Sequence, residues 1–138
     1  MRVGHMKQVE NLDLTFGADP RYWMVKVQMD FAADNEEYLL FTDSELRLTR
    51  YRVSRNREDI ALLDLNKKNG VLTRIKNKDA LFGADEVYVA FSAQVQGQQA
   101  REWLLLTEST LDAARDRVKR CPRTVEANKT GWVADLFD

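Results

Sequence analysis

The feature that most constrains this chain is a repeat. Residues 11–19 read NLDLTFGAD and residues 77–85 read NKDALFGAD, six identities in nine at an offset of 66. Residues 37–55, EYLLFTDSELRLTRYRVSR, match residues 102–120, EWLLLTESTLDAARDRVKR, at ten of nineteen positions and an offset of 65. The two matches keep their order and, apart from one residue, their register, so an internal duplication is the simplest account. Two copies are too few for an open solenoid, and a closed pseudo-twofold pair is expected instead. The repeats span about 7–57 and 73–123, leaving a connector at 58–72 and a C-terminal tail at 124–138. At 138 residues with 44% hydrophobic composition, both copies belong to one compact domain sharing a core.

Each copy has a readable plan. In WMVKVQMDF, Trp23, Val25, Val27, Met29 and Phe31 alternate with polar or smaller positions, the period of a half-buried strand. VYVAFSAQV alternates in the same way through Val87, Val89, Phe91, Ala93 and Val95. The stretches AADNEE and QGQQAR supply turn residues, and YLLFT and WLLLT return as second strands. Thr42 and Thr107 stand at helix N-caps, each followed by an acidic residue that the helix dipole favours. Glu45 completes a capping box with Thr42, whereas Thr110 holds that position in the second copy. At 100° per residue, Leu46, Thr49 and Val53 form a stripe about 60° wide, as do Leu111, Ala114 and Val118. That face is expected to pack on the copy's own hairpin. The helices should stop near Asn56 and at Cys121-Pro122, where proline forbids continuation. In the connector, IALLDL reads as a strand, 67–70 as a turn and VLTRIK as another strand.

The predicted fold is α+β: two ββα units, with room for one extra strand in each, forming a sheet with two helices packed on one face. The charges, 21 basic against 22 acidic, nearly cancel and advertise neither nucleic acid nor an anionic membrane. No apolar run approaches the roughly 18 residues of a membrane span, and the N-terminus lacks the apolar centre of a secretory signal. One cysteine suits a reducing compartment. The expected setting is the cytoplasm, with no membrane partner; a small regulator of a bacterium or of one of its viruses would suit these features.

Little points to catalysis. His5 is the only histidine and stands in an N-terminal stretch expected to be mobile, so no histidine-based triad or metal site can be assembled. Cys121 falls on the buried side of its helix and reads as a packed thiol. Asp13, Asp19, Asp79 and Asp85 recur around the FGAD loops without calcium-loop spacing; they read as turn residues, and no cofactor or metal is expected. The arginines are the main polar candidates. Arg50, Arg52 and Arg55 recur as Arg115, Arg117 and Arg120, and by angle Arg52 and Arg55 lie off the buried stripe, toward solvent or a partner. A basic helix pair with Tyr51 for stacking fits a phosphate backbone; the plainer reading is a solvated face favoured by the helix dipole.

In the tail GWVADLFD, Trp132, Leu136 and Phe137 group on one side of a short helix and form a candidate docking peptide. The ending Asp135-Leu136-Phe137 resembles the short peptides with which bacterial proteins bind the replication sliding clamp, although the usual leading glutamine is missing. The leading functional expectation is a non-enzymatic binding or regulatory protein engaging a macromolecular partner, another protein before nucleic acid, with a homo-oligomer among the alternatives. A nucleic-acid-binding module using the arginine helices comes second, and a metal-dependent enzyme using the repeated aspartates third.

Overall fold

The computed structural model describes residues 2–15, 19–29, 35–57, 60, 68–77 and 85–130. Their fold is α+β, with a mixed six-stranded sheet and three helices among the described residues. The elements run β1 (His5–Glu10), β2 (Arg21–Met29), β3 (Glu36–Phe41), α1 (Asp43–Arg55), β4 (Val71–Lys76), β5 (Val87–Val95), β6 (Arg101–Thr107), α2 (Glu108–Arg120) and α3 (Pro122–Ala127).

The hairpins β2–β3 and β5–β6 form where alternation and turn residues predict them. Between them lie β1 and β4. Residues 21–25 of β2 pair antiparallel with β1, while Gln28 and Met29 pair parallel with the start of β4. Because β3 occupies the other edge of β2 over the same span, β1 and β4 must share one central position, end to end. The same holds for β5, which takes β4 along residues 87–90 and β1 at Gln94 and Val95. The sheet therefore reads β3, β2, the β1/β4 pair, β5, β6. The junction between β1 and β4 is glycine on both sides. Gly4 and Gly70 have φ of 89° and 81°, and a Cβ on Gly70 would run into the backbone of Gly4. Gly4 donates to the Lys26 carbonyl and its own carbonyl accepts from Gln94; Gly70 donates to Ser92 and accepts from Gln28.

One face of the sheet carries the main core: Met6, Val25, Val27, Leu39, Phe41, Leu72, Val89, Phe91, Ala93, Leu104 and Leu106, joined by Leu46 of α1 and by Leu111 and Ala114 of α2. The Phe41 and Phe91 rings lie 6.3 Å apart although two strand positions separate β3 from β5. Strands spaced about 4.8 Å apart in a flat sheet would hold them roughly 14 Å apart, so the sheet curls around this core. The opposite face carries two smaller clusters. Tyr22, Met24 and Leu40 gather with Cys121 and Val125 at one end, and Tyr88, Ala90, Trp103 and Leu105 with Ile60 at the other.

Several expectations need correction. His5 is not in a mobile stretch: it opens β1, is buried, and pairs with Gln94. The helices do not sit on their own hairpins. α1 packs chiefly along β6 and α2 along β3, so each helix crosses to the outer strand of the other hairpin. Ile60 belongs to a helical turn, its amide donating to the Asn56 carbonyl, and not to a strand; residues 61–65 of the expected strand lie outside the described residues. The tail begins as structure: Pro122, which ends α2, stands in the first turn of α3, and Thr124 and Val125 are buried.

Candidate functional site

The six arginines divide by position. Arg50 and Arg52 of α1 flank its buried stripe on either side, and Arg115 and Arg117 do the same on α2. At a flank, a long side chain can lie along the protein instead of pointing outward. Arg50 donates through Nε and Nη2 to Glu102 Oε1 at 3.0 and 2.8 Å, and Arg115 through the same atoms to Glu37 at 3.0 and 2.7 Å. Arg52 Nη1 donates to the Leu105 carbonyl at 3.2 Å, and Arg117 Nη1 to the Leu40 carbonyl at 3.0 Å. Arg52 lies over the Tyr88 ring and Arg117 over the Tyr22 ring.

These contacts give the arginines a structural job. β3 and β6 are the outer strands of the sheet, and their unpaired carbonyls are groups on which a foreign strand could add. Arg117 and Arg52 occupy one such carbonyl on each edge. The prediction that Arg52 faces solvent or a partner therefore does not hold for this residue; it lies against β6. Arg117 is held further by Glu45, whose Oε1 and Oε2 accept from Nη1 and Nη2 at 2.6 and 3.0 Å. Glu45 is also the capping-box residue, accepting from the Thr42 amide at 3.0 Å. One carboxylate thus caps α1 and ties α2 to it. The sequence signal for these partners is their place at matched positions: Glu37 and Glu102 head the longer repeat.

Arg55 and Arg120 remain at the surface, Arg55 donating to the Tyr51 hydroxyl at 3.1 Å and Arg120 paired with Asp116 at 2.9 Å. Such exposed helical pairs are worth about 0.3–0.5 kcal/mol and are easily exchanged. On the side of α1 opposite Leu46, Leu48 and Tyr51 are 48% and 55% exposed, flanked by Arg47 and Arg55. The matching face of α2 carries Asp112, Ala113, Asp116 and Arg120.

Around the FGAD loops the asparagine side chains, and the carboxylate of Asp13, bind the backbone. Asn11 Nδ2 donates to the Asp19 carbonyl at 3.0 Å and Asn77 Nδ2 to the Asp85 carbonyl at 2.8 Å, closing the two FGAD loops at their ends. Buried Asp13 accepts from the Thr124 amide and hydroxyl at 2.8 and 3.1 Å, and so caps α3 from a distance. Residues 16–18 and 78–84, with Asp79, lie outside the described residues, as do Trp132, Leu136 and Phe137 of the tail. Among the described residues, no three His, Cys, Asp or Glu side chains gather closely enough to hold a metal ion. Cys121 is buried, and desolvation raises its thiol above the usual range, away from nucleophilic behaviour. An open cleft of about 600 Å³ lies between Arg74, Lys76, Asn77, Glu86 and Val87, but Arg74 is already paired with Glu108. No described helix is long and apolar enough to cross a membrane.

No protein-family model, curated protein or solved structure matches this chain.

Proposed function

We propose that this is a non-enzymatic binding or regulatory protein of the cytoplasm that engages another protein through the outer face of α1. The observation that carries the reading is the exposure of Leu48 and Tyr51, the exposed large hydrophobics borne by the described helices, side by side on the face opposite the core. Arginines beside an aromatic and an aliphatic anchor are the residue types that interface centres favour. The nucleic-acid alternative draws less support, because four of the six candidate arginines are engaged within the fold, leaving Arg55 and Arg120 at the surface.

The reading includes a tandem duplication of a βββα unit about a pseudo-twofold axis. It is supported by contacts that come in pairs at offsets of 65 or 66: Arg50–Glu102 with Arg115–Glu37, Arg52–Leu105 with Arg117–Leu40, Asn11–Asp19 with Asn77–Asp85, and the two glycine bridges. In each helix-to-strand pair the partner belongs to the other unit.

The test is a photocrosslinking residue placed at position 48 of the full chain in its native host, with the exposed position 126 of α3 as control. Protein adducts at position 48 that Tyr51→Asp removes, with an unchanged melting temperature, are the expected result. Equal labelling at both positions would sink the assignment.

A further inference from the structure

We infer that the occupant of the α1 face is a second copy of this chain, docked through its α2 face to form a twofold dimer. This rests on the proposal above and goes further by naming the partner. The two outer faces differ in character at matched positions. Arg47 of α1 corresponds to Asp112 of α2, opposite in charge; Leu48 to Ala113, large against small; and Tyr51 to Asp116, a hydroxyl donor against a carboxylate acceptor. Asp112 and Asp116 are exposed, and Asp116 is held only by the exchangeable pair with Arg120. The fourth matched pair, Arg55 and Arg120, is basic on both sides, so the α1 face carries two arginines and the α2 face two aspartates beside one arginine, opposite in net charge. An α1-on-α1 contact would oppose Arg47 and Arg55 to their own copies, and like charges brought together across an interface disfavour it.

The placement of the helices lets both contacts close at once. Leu46 of α1 and Leu111 of α2 enter the same core, and Arg117 of α2 reaches Glu45 of α1, so the helices are neighbours, each running along an edge strand toward the opposite face, where Val53 and Val118 pack. Their outer faces, each opposite those core residues, turn away from that core. A twofold axis between two copies then sets α1 on the partner's α2 and α2 on the partner's α1, an isologous and closed arrangement. Each helix has 13 residues and is about 20 Å long, so two such contacts make a small interface, and association is expected in the micromolar range.

The experiment is sedimentation equilibrium on the purified full chain and on two charge-reversed variants, R47E/R55E and D112K/D116K, alone and mixed in equal amounts. The native chain should dimerise with concentration, less so at high salt. Each variant alone should bind itself at least about tenfold more weakly, since its altered face meets a like charge on the partner. Mixed, they should form a heterodimer, because each α1–α2 contact then regains opposite charges. Melting curves of both variants establish that they fold. A native chain that stays monomeric, variants that dimerise as well as it does, or folded variants that remain monomeric when mixed would each overturn the inference. Crosslinking of a different protein at position 48 of a monomeric chain would overturn it too, while leaving the binding role intact.

Discussion

At the scale of single residues, Glu45 and Gly70 carry more than their type suggests. Glu45 closes the α1 capping box and accepts both guanidinium donors of Arg117, the pair being about four-fifths buried. Its counterpart Thr110 accepts only within its own cap, from the Thr107 hydroxyl. Glu45→Ala removes a reciprocal cap worth about 1 kcal/mol and leaves a mostly buried guanidinium less well paired, so a loss of about 2 kcal/mol is expected. Thermal unfolding should show it as a fall of roughly 5–10 °C, against less than half of that for Thr110→Ala. A smaller loss for Glu45→Ala than for Thr110→Ala would refute the shared role. Gly70→Ala must adopt a left-handed φ and press a methyl group on the backbone of Gly4. About 2 kcal/mol or more should be lost, whereas Ala at Gly97, with the same sign of φ but open space around it, should cost only the conformational part, about 1 kcal/mol.

Among the elements, α3 shows how a short helix is fixed by its neighbours. Six residues are too few to be stable alone. Asp13 caps it from the loop after β1, and Cys121 and Val125 seat it against Val9, Tyr22 and Met24. Burial raises both the Cys121 thiol and the Tyr22 hydroxyl above their ordinary values. Each resists ionisation in the folded chain and ionises normally in the unfolded one. Their contribution is therefore complete below the unfolded values and is lost as pH rises through them, from about pH 8.5 to above 10. Urea unfolding across that range should show stability declining, with Cys121→Ser flattening the lower part of the decline. Stability that stays level to pH 10 would contradict the buried seat. The alternation in β2 and β5, the two Thr caps and the Pro122 stop were all legible, because each depends on residues a few positions apart. β1 leaves no such mark: a strand whose His5 and Met6 are both buried departs from strict alternation at its start.

Across the whole molecule, the exchange of helices decides cooperativity. α1 rests on β6 and α2 on β3, while β1 and β4 share the centre of one sheet. Neither half can bury its helix stripe alone. Residues 2–67 and 68–138 produced separately are expected to lack a cooperative melt as monomers, and mixing should restore circular dichroism close to that of the intact chain. A monomeric half that melts cooperatively would show that the exchange is dispensable.

By itself the sequence determined the two hairpins, the two long helices, β4 and the α+β class, because capping, alternation and proline stops act over a few residues and leave periodic marks. It also exposed the two related segments. Which helix meets which strand was decided only in three dimensions, by partners 52 to 78 residues apart. Arg50, Arg52, Arg115 and Arg117 looked like a surface because angle alone describes a helix in isolation. The edge strands turned them inward: one carbonyl, of Leu40 or Leu105, and one partly buried glutamate, Glu37 or Glu102, on each outer strand give the flanking arginines better hydrogen bonds than the open helix face does.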